Sequence, residues 1–126
     1  MTRPGDPLVD EWRALLDRHA RTHSALERAL KEHALGVSDY EVLERLATEG
    51  DGERRRMQEL GDALHLSQSA LSRVVARLER DGLAARGICA EDRRGIEVCI
   101  TAAGRERYEA ARPAHRAALA HAMGRR

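Results

Sequence analysis

Two short amphipathic segments joined by a brief turn are the feature that most constrains the fold of this chain. Apolar residues recur at helical spacing from Met57 to Leu64, and again from Ala70 to Leu78. This spacing places the apolar side chains on one face of each helix. Ser67 follows the turn and is placed to cap the second helix. Two short helices joined in this way form a helix-turn-helix.

The hydrophobic period changes after this pair of helices. Residues 83–89 and 96–100 favour β-strands, and the second run alternates between apolar and other residues. Polar residues 90–95 lie between the two runs. The sequence therefore predicts a β-hairpin with a charged tip.

Long helices are predicted on both sides of this region. Asp6 and Pro7 form a helix start. An apolar stripe then recurs every three or four residues, at Leu8, Trp12, Leu15, His19, His23, Leu26 and Leu30. A stripe this narrow favours packing against another helix, including one from a second chain. Thr101 is placed to cap the last helix, in which Pro113 is predicted to introduce a kink.

A second helix follows the first after Gly36. Ser38 and Glu41 match a capping box, in which each side chain bonds to the backbone N–H of the other residue. Tyr40 and Leu43 lie on the predicted core face of this helix.

These elements predict a single domain of residues 1–126, because domains typically contain about 100–150 residues. The predicted fold is mainly α with a small β-hairpin wing. A winged helix-turn-helix spans residues 37–101, and long helices at residues 8–35 and 102–123 flank it.

The second helix of the helix-turn-helix has a polar face. Its outward residues are Gln68, Ser69, Ser72, Arg73, Ala76 and Arg77. Such a helix fits the major groove of DNA, where Gln pairs with adenine, Arg with guanine and Ser with several groups. Ser67 is placed to contact phosphates. The alternative is an ordinary solvated helix face.

The predicted hairpin tip has the chemistry of a minor-groove contact. Arg93 and Arg94 lie at the end of a narrow ribbon that reaches the groove, where the negative potential attracts arginine. Asp92 would repel phosphate, so we expect it to orient a neighbouring arginine. The alternative is a charged tip that protects a strand edge.

The net charge of the whole chain argues against a nucleic-acid partner, but the charges are unevenly distributed along the sequence. There are 22 Lys and Arg residues against 21 Asp and Glu, which gives a net charge of +1. Residues 1–52 hold 7 basic and 11 acidic side chains, whereas residues 53–95 hold 9 and 7 and residues 96–126 hold 6 and 3. The run Arg54–Arg56 is placed to grip phosphates, or else to form a solvated loop. One Trp, two Tyr and no Phe argue against a protein that stacks single-stranded bases.

Three motifs in order give the chain a resemblance to the multiple antibiotic resistance regulator (MarR) family. Residues 92–104 resemble the family's wing signature, an Asp-Arg-Arg tip that leads through a strand into a Thr-x-x-Gly helix start. Residues 66–75 and 78–83 resemble its recognition helix and the exit from it, and residues 37–43 resemble the start of its second helix. The resemblance covers nearly the whole chain.

The resemblance implies a homodimeric transcriptional regulator that straddles a pseudo-palindromic operator on double-stranded DNA. It implies a repressor that releases DNA when a small phenolic or other lipophilic effector binds between the dimerisation helices and the DNA-binding region. By position, the major groove would be contacted by Ser67, Gln68, Ser69, Ser72 and Arg73. Arg94, supported by Asp92, would probe the minor groove with Arg93 nearby.

The candidate interface and effector residues come from the terminal helices and the second helix. The resemblance implies that the helices at residues 8–35 and 102–123 are dimerisation helices. On them the dimer interface is assigned to Leu8, Trp12, Leu15, His115 and Leu119. The effector pocket is assigned to Trp12, His19, His23 and Tyr40. The family usually has another C-terminal helix, so the expectation is either a smaller interface here or an incomplete chain.

Two alternatives concern the trigger. Two cysteines, Cys89 and Cys99, suggest a redox switch as one alternative. With a loop at residues 90–95, Cys89 lies opposite Ile96, about 10 Å from Cys99. A disulfide needs Cα atoms within about 7 Å, so we expect ordinary free thiols. His19 and His23 are one turn apart, as metal ligands can be, but their stripe offers no further ligand.

The remaining expectations concern activities and partners that the chain lacks, and its location in the cell. No nucleophile–base pair, phosphate-binding glycine loop or metal shell predicts an enzyme, and no cofactor or metal is expected. The chief rival function is a winged-helix protein-interaction module. No membrane partner is expected, and the predicted location is the cytoplasm, on the nucleoid when the protein is bound to DNA.

Overall fold

The computed structural model describes residues 5–49, 54–88 and 95–124. Within these ranges the elements follow in the order α1 (Pro7–Lys31), α2 (Val37–Thr48), β1 (Arg54–Arg56), α3 (Met57–Leu64), α4 (Gln68–Arg80), β2 (Ala84–Ile88), β3 (Ile96–Ile100) and α5 (Ala102–Ala122). This order confirms the predicted mainly α fold with a winged helix-turn-helix. None of the described helices is long and apolar enough to cross a membrane.

The strands form one antiparallel sheet in the order β1-β3-β2. β2 and β3 confirm the two strands of the predicted hairpin. Their register differs from the expected one by a residue, since Ile88 rather than Cys89 pairs with Ile96. Cys99 is a free thiol of intermediate exposure, whereas Cys89 lies outside the described residues.

The first strand is a feature that the sequence did not indicate. The sequence left phosphate contacts and a solvated loop as the alternatives for Arg54–Arg56, but these residues pair with β3, with Arg55 opposite Val98. Three consecutive arginines show no alternation of apolar and polar residues, so the local pattern could not predict a strand. The pairing exists because the edge of β3 supplies the backbone partners.

The hydrophobic core lies between α2, α4, α5 and β3. Its fully buried side chains include Tyr40, Val42, Leu43, Leu46, Leu60, Leu71, Val75 and Val98. The apolar faces predicted for the second helix and for the helix-turn-helix are thus confirmed. The polar face of α4 is consequently turned away from the core.

The start of α5 is fastened to the turn that follows α4. Thr101 caps the helix as predicted, its Oγ1 accepting a hydrogen bond from the Gly104 N–H at 3.0 Å and donating one to the Gly82 carbonyl at 2.7 Å. A Cβ at position 104 would collide with the Leu83 carbonyl oxygen, so the close approach requires glycine. From there α5 runs as one helix that includes Pro113.

Two further predicted helix caps are confirmed and one is wrong. The Asp6 side chain accepts from the Leu8 N–H, and that of Ser67 accepts from the Ala70 N–H. At α2, however, Gly36 is the N-cap, and the Asp39 carboxylate accepts from the Gly36 N–H at 2.8 Å. Because the N-cap lies two residues earlier than the predicted one, Asp39 rather than Glu41 occupies the third position of the helix.

The two halves of α1 differ in how much of their apolar stripe is covered. Leu26 and Leu30 are buried against the rest of the chain. In contrast, Leu8, Trp12 and Leu15 are exposed, Trp12 by 57%. The exposed half lies beside the end of α5, where Arg18 donates to the Met123 carbonyl at 3.2 Å.

Candidate nucleic-acid interface and the adjoining cleft

Helix α4 presents a polar face opposite its buried stripe. Leu71, Val74, Val75 and Leu78 are buried, whereas Gln68, Ser69 and Arg73 are exposed. Ser72 is half-buried, and the Ser67 hydroxyl is exposed while it caps the helix. This face carries the amide, hydroxyl and guanidinium groups that read base edges.

Arg77 is part of an ion pair that the sequence did not indicate. Its Nη2 lies 2.7 Å and its Nε 3.1 Å from Oδ1 of Asp39. Asp39 is only 5% exposed and also bonds the Gly36 N–H. The hydrogen bond to Asp39 outweighs burial and raises the pKa of Arg77. The pair joins α4 to the start of α2, so the Arg77 guanidinium, although exposed, is already engaged by a carboxylate of its own chain.

A second ion pair joins α4 to the wing. Nε of Arg86, on β2, lies 2.7 Å from Oε1 of Glu79, and Nη1 of Arg86 lies 3.4 Å from the Ser72 hydroxyl. Sequence reasoning missed both partners, because the six residues between Glu79 and Arg86 include the turn that reverses the chain. The contact fixes the base of the wing against the polar face of α4.

The predicted wing tip cannot be placed. Asp92, Arg93 and Arg94 lie outside the described residues, so their assignment as minor-groove contacts stays a prediction. β2 and β3, which lead to this tip, form the predicted ladder.

The arginines of β1 have individual environments. Arg54 is exposed, and its Nε lies 3.7 Å from Oε2 of Glu97. Nη1 of Arg55 is buried and has no hydrogen-bond partner within the described part of the chain. The run is therefore an edge strand rather than a solvated loop, and the phosphate contact assigned to it remains untested.

A cleft of about 560 Å³ lies between α1, α2 and the end of α3. It is lined by His19, Thr22, His23, Leu26, Val37, Ser38, Glu41, Arg45, Ala63, Leu64, His65 and Leu66. His19 and His23, assigned to an effector pocket from the sequence, are in its wall. Trp12 and Tyr40 are not among the lining residues.

Tyr40 and His115 are core residues, which corrects two sequence assignments. Tyr40 is fully buried and stacks on His115, with ring centroids 4.0 Å apart and planes 19° apart. His115 is 2% exposed. Tyr40 therefore cannot line an open pocket, and His115 cannot form a surface contact with a second chain. Both rings are covered because α2 and α5 cross at this point, which the sequence spacing does not reveal.

A carboxylate on α2 holds this crossing together. Oε2 of Glu44 accepts hydrogen bonds from the hydroxyls of Tyr40 and Tyr108, each at 3.2 Å, and from Arg116. Burial opposes ionisation of Glu44, but the Arg116 and tyrosine hydrogen bonds lower its pKa. Burial, followed by the charge of Arg116, lowers the pKa of His115. The cluster is the polar link between the helix-turn-helix region and the last helix.

The groups considered for metal or redox gating are not gathered into one site. His19 and His23 have ring centroids 6.0 Å apart, and His23 Nδ1 lies 3.0 Å from Glu27. Across residues 5–49, 54–88 and 95–124, no three His, Cys, Asp or Glu side chains are grouped to hold a metal ion. Cys99 pairs with Arg54 and Ala85 in the sheet.

Comparison with known proteins gives the chain a family. Residues 35–95 match the sequence profile described as the MarR family. An uncharacterised helix-turn-helix-type transcriptional regulator of Bacillus subtilis (strain 168), YkoM, is 30% identical over 96 residues, which are 76% of this chain. The chain spans 60% of the length of that relative.

Two solved structures from Streptomyces coelicolor have the same fold. The MarR family transcriptional regulator Sco3205, solved in complex with DNA, is 31% identical with a TM-score of 0.84, covering 97% of this chain and 77% of that one. The regulator AbsC is 33% identical with a TM-score of 0.85, covering 96% of this chain and 82% of that one. On this identity and coverage, the chain belongs to the MarR family of transcriptional regulators.

Proposed function

We propose that this chain is a sequence-specific, double-stranded DNA-binding transcriptional regulator that acts as a homodimer. The observation that carries the proposal is the exposed polar face of α4, which two ion pairs fasten to α2 and to the wing. A rigid helix with Gln, Ser and Arg outward can enter a major groove with its side chains in register with base edges.

The proposed contacts follow from exposure on that helix. Gln68, Ser69 and Arg73 would read base edges, while Ser67 and Ser72 would contact bases or phosphates. Arg94, oriented by Asp92 and with Arg93 beside it, would enter the minor groove. We leave Arg77 out of the reading set, because its guanidinium already pairs with Asp39.

The proposed dimer interface is the exposed half of α1 together with the end of α5. Leu8, Trp12 and Leu15 are large, exposed and on one stripe, and Leu119 is half-buried on the neighbouring helix. Clustered apolar side chains of this size commonly mark an interaction surface. Two-fold symmetry of the protein would then match a pseudo-palindromic operator.

The proposed regulation is repression relieved by a small aromatic or other lipophilic effector in the cleft. Its volume of about 560 Å³ falls in the range of small-molecule sites, about 300–1,000 Å³. The cleft touches α2 and the end of α3, so an occupant would bear on the helix-turn-helix. We place this activity in the cytoplasm, with the chromosomal DNA.

Selection of bound duplexes from a random DNA pool tests the proposal. We expect enrichment of an inverted repeat whose half-site centres are about one helical turn apart. Repeating the selection with small phenols present is expected to reduce recovery of the same sequence. Recovery of asymmetric single sites, or no enrichment, would contradict a dimeric reader.

A further inference from the structure

The cleft contains a carboxylate that accepts no hydrogen bond from the described residues. Glu41 lies in the cleft wall, with its side chain 34% exposed. Its expected role as a capping residue is taken by Asp39. Among the described residues, none donates a hydrogen bond to the Glu41 side chain, so its oxygens are available to a ligand.

The two arginines whose charges act on Glu41 have other acidic partners. Arg45 shares the cleft wall, but its Nη1 lies 2.9 Å from Oε2 of Glu49. Arg116 is hydrogen-bonded to Glu44. The negative charge of Glu41 is therefore not neutralised by a dedicated cation in the described structure.

The nearest ring nitrogen does not supply that cation either. Nε2 of His115 lies 3.9 Å from Oε1 of Glu41, too far for a hydrogen bond. This nitrogen is buried and has no hydrogen-bond partner in the ranges described. Burial and the charge of Arg116 lower the pKa of His115, which favours the uncharged ring beside Glu41.

The surroundings of Glu41 resist further negative charge. Burial, followed by the charge of Glu44, raises the pKa of Glu41 against the opposing charges of Arg45 and Arg116. A ligand carboxylate placed here would add a third negative group to Glu41 and Glu44. A hydroxyl or amine would instead donate a charge-assisted hydrogen bond, the stronger kind of hydrogen bond.

The rest of the wall suits an apolar ring. Leu26, Val37, Leu64 and Leu66 line the cleft around Glu41, and apolar walls with a few polar groups are typical of small-molecule sites. The wall thus offers apolar contact to the body of a ligand. Among its polar groups, which include hydroxyls and imidazole rings, Glu41 supplies the carboxylate acceptor for the ligand's polar end.

The geometry points to Glu41 as the residue that determines which effectors the cleft accepts: aromatic compounds that carry a hydrogen-bond donor, with carboxylates at the same position rejected. This inference rests on the proposed function, since it takes the cleft as the effector site. The class includes neutral phenols and aromatic amines.

A matched pair of ligands tests the inference. p-Cresol and p-toluate share a methyl-substituted ring and differ in a neutral hydroxyl against an ionised carboxylate. We expect wild type to bind p-cresol roughly tenfold or more tightly than p-toluate, the loss expected when a charged hydrogen bond is replaced by repulsion. Titration calorimetry at pH 7 measures both affinities, and a DNA shift assay measures release.

The variant Glu41→Gln keeps the shape of the side chain and removes its charge. We expect p-cresol affinity to fall by roughly fivefold and the preference over p-toluate to shrink to about twofold or less. Glu109→Gln, a charge removal at an exposed position of α5 outside the cleft wall, is the control and should keep the wild-type preference. Circular dichroism checks that both variants fold.

The outcomes separate the inference from the proposed function. Equal binding of both ligands by wild type, or an unchanged preference in a folded Glu41→Gln variant, would overturn the role of Glu41 while the cleft stands. No binding of either ligand by wild type would overturn the cleft as an effector site, and the inference with it. If Glu41→Gln does not fold, the wild-type preference alone decides.

Discussion

Helix α4 and the first half of α1 are both amphipathic, but only α4 has its apolar stripe covered by its own chain. Leu71, Val75 and Leu78 are fully or almost fully buried, whereas Leu8 is 74% and Leu15 58% exposed. The helix-turn-helix region is thus complete within one chain. The exposed half of α1 requires another surface, which we propose to be a second copy.

Truncation of one leucine from the apolar stripe of each helix tests this difference most strongly. Leu71→Ala should lower the free energy of unfolding by about 2–5 kcal/mol, the cost of a cavity in a core. Leu15→Ala should act mainly through association, so that its effect depends on protein concentration. Chemical denaturation at two protein concentrations measures both. A concentration-independent loss of similar size in Leu15→Ala would contradict the comparison.

The polar face of α4 is expected to carry the next largest effect. Arg73→Ala should weaken operator binding by about 1–3 kcal/mol and relax the preference at one base position. The control Arg112→Ala removes an exposed arginine from α5 and should leave the base preference unchanged. A salt-controlled shift assay with single-base operator variants measures both. Equal losses in the two variants would indicate a general charge effect only.

A charge on the exposed stripe should disrupt the proposed dimer. Leu15→Glu would bury an unpaired carboxylate in the interface, so the dimer dissociation constant should rise by roughly tenfold or more. Arg21→Glu places the same residue on an exposed position outside the apolar stripe and is the control. Analytical ultracentrifugation measures both constants. A Leu15→Glu protein that dimerises like wild type would move the interface elsewhere.

The hydrogen-bonded cluster around Glu44, which links α2 to α5, should make a smaller, pH-dependent contribution to stability. The pKa of Glu44 is lowered from its ordinary 4.5 in the folded protein. Ionised Glu44 therefore contributes stability above about pH 4.5, which is lost as the pH falls through the lowered pKa. Glu44→Gln should cost about 1 kcal/mol at pH 7 and flatten this acid dependence.

Denaturation of both proteins from pH 7 to pH 3 provides the measurement. Glu109→Gln serves as the control, because Glu109 is exposed on α5, and it should retain the wild-type acid dependence. An acid dependence unchanged by Glu44→Gln would show that the cluster at the α2–α5 crossing does not stabilise the folded state.

The helices, their apolar faces and most of their ends were predictable because they depend on neighbouring residues. Asp6, Ser67 and Thr101 each cap a helix two or three residues away. The capping box at Ser38 and Glu41 failed for an equally local reason, since Asp39 provided a competing acidic cap two positions earlier. Ser38 and Glu41 both lost their predicted roles through that two-residue shift.

The candidate site was only partly predictable. The exposed positions Gln68, Ser69 and Arg73 follow from the helical period, and His19 and His23 do line a cleft. The partners of Arg77 and Arg86, and the burial of Tyr40 and His115, follow from contacts between distant elements. No periodicity within a segment encodes such contacts.

By itself, the sequence determined the order of the elements, the helix-turn-helix and the hairpin strands, because hydrophobic period and cap chemistry are local properties of the chain. Tertiary structure alone decided which polar groups remain available. Asp39 takes the guanidinium of Arg77, 38 residues away, and Glu44 takes that of Arg116, 72 residues away. The physical reason is that a buried charge is stable only with a partner, and the fold selects that partner by proximity in space.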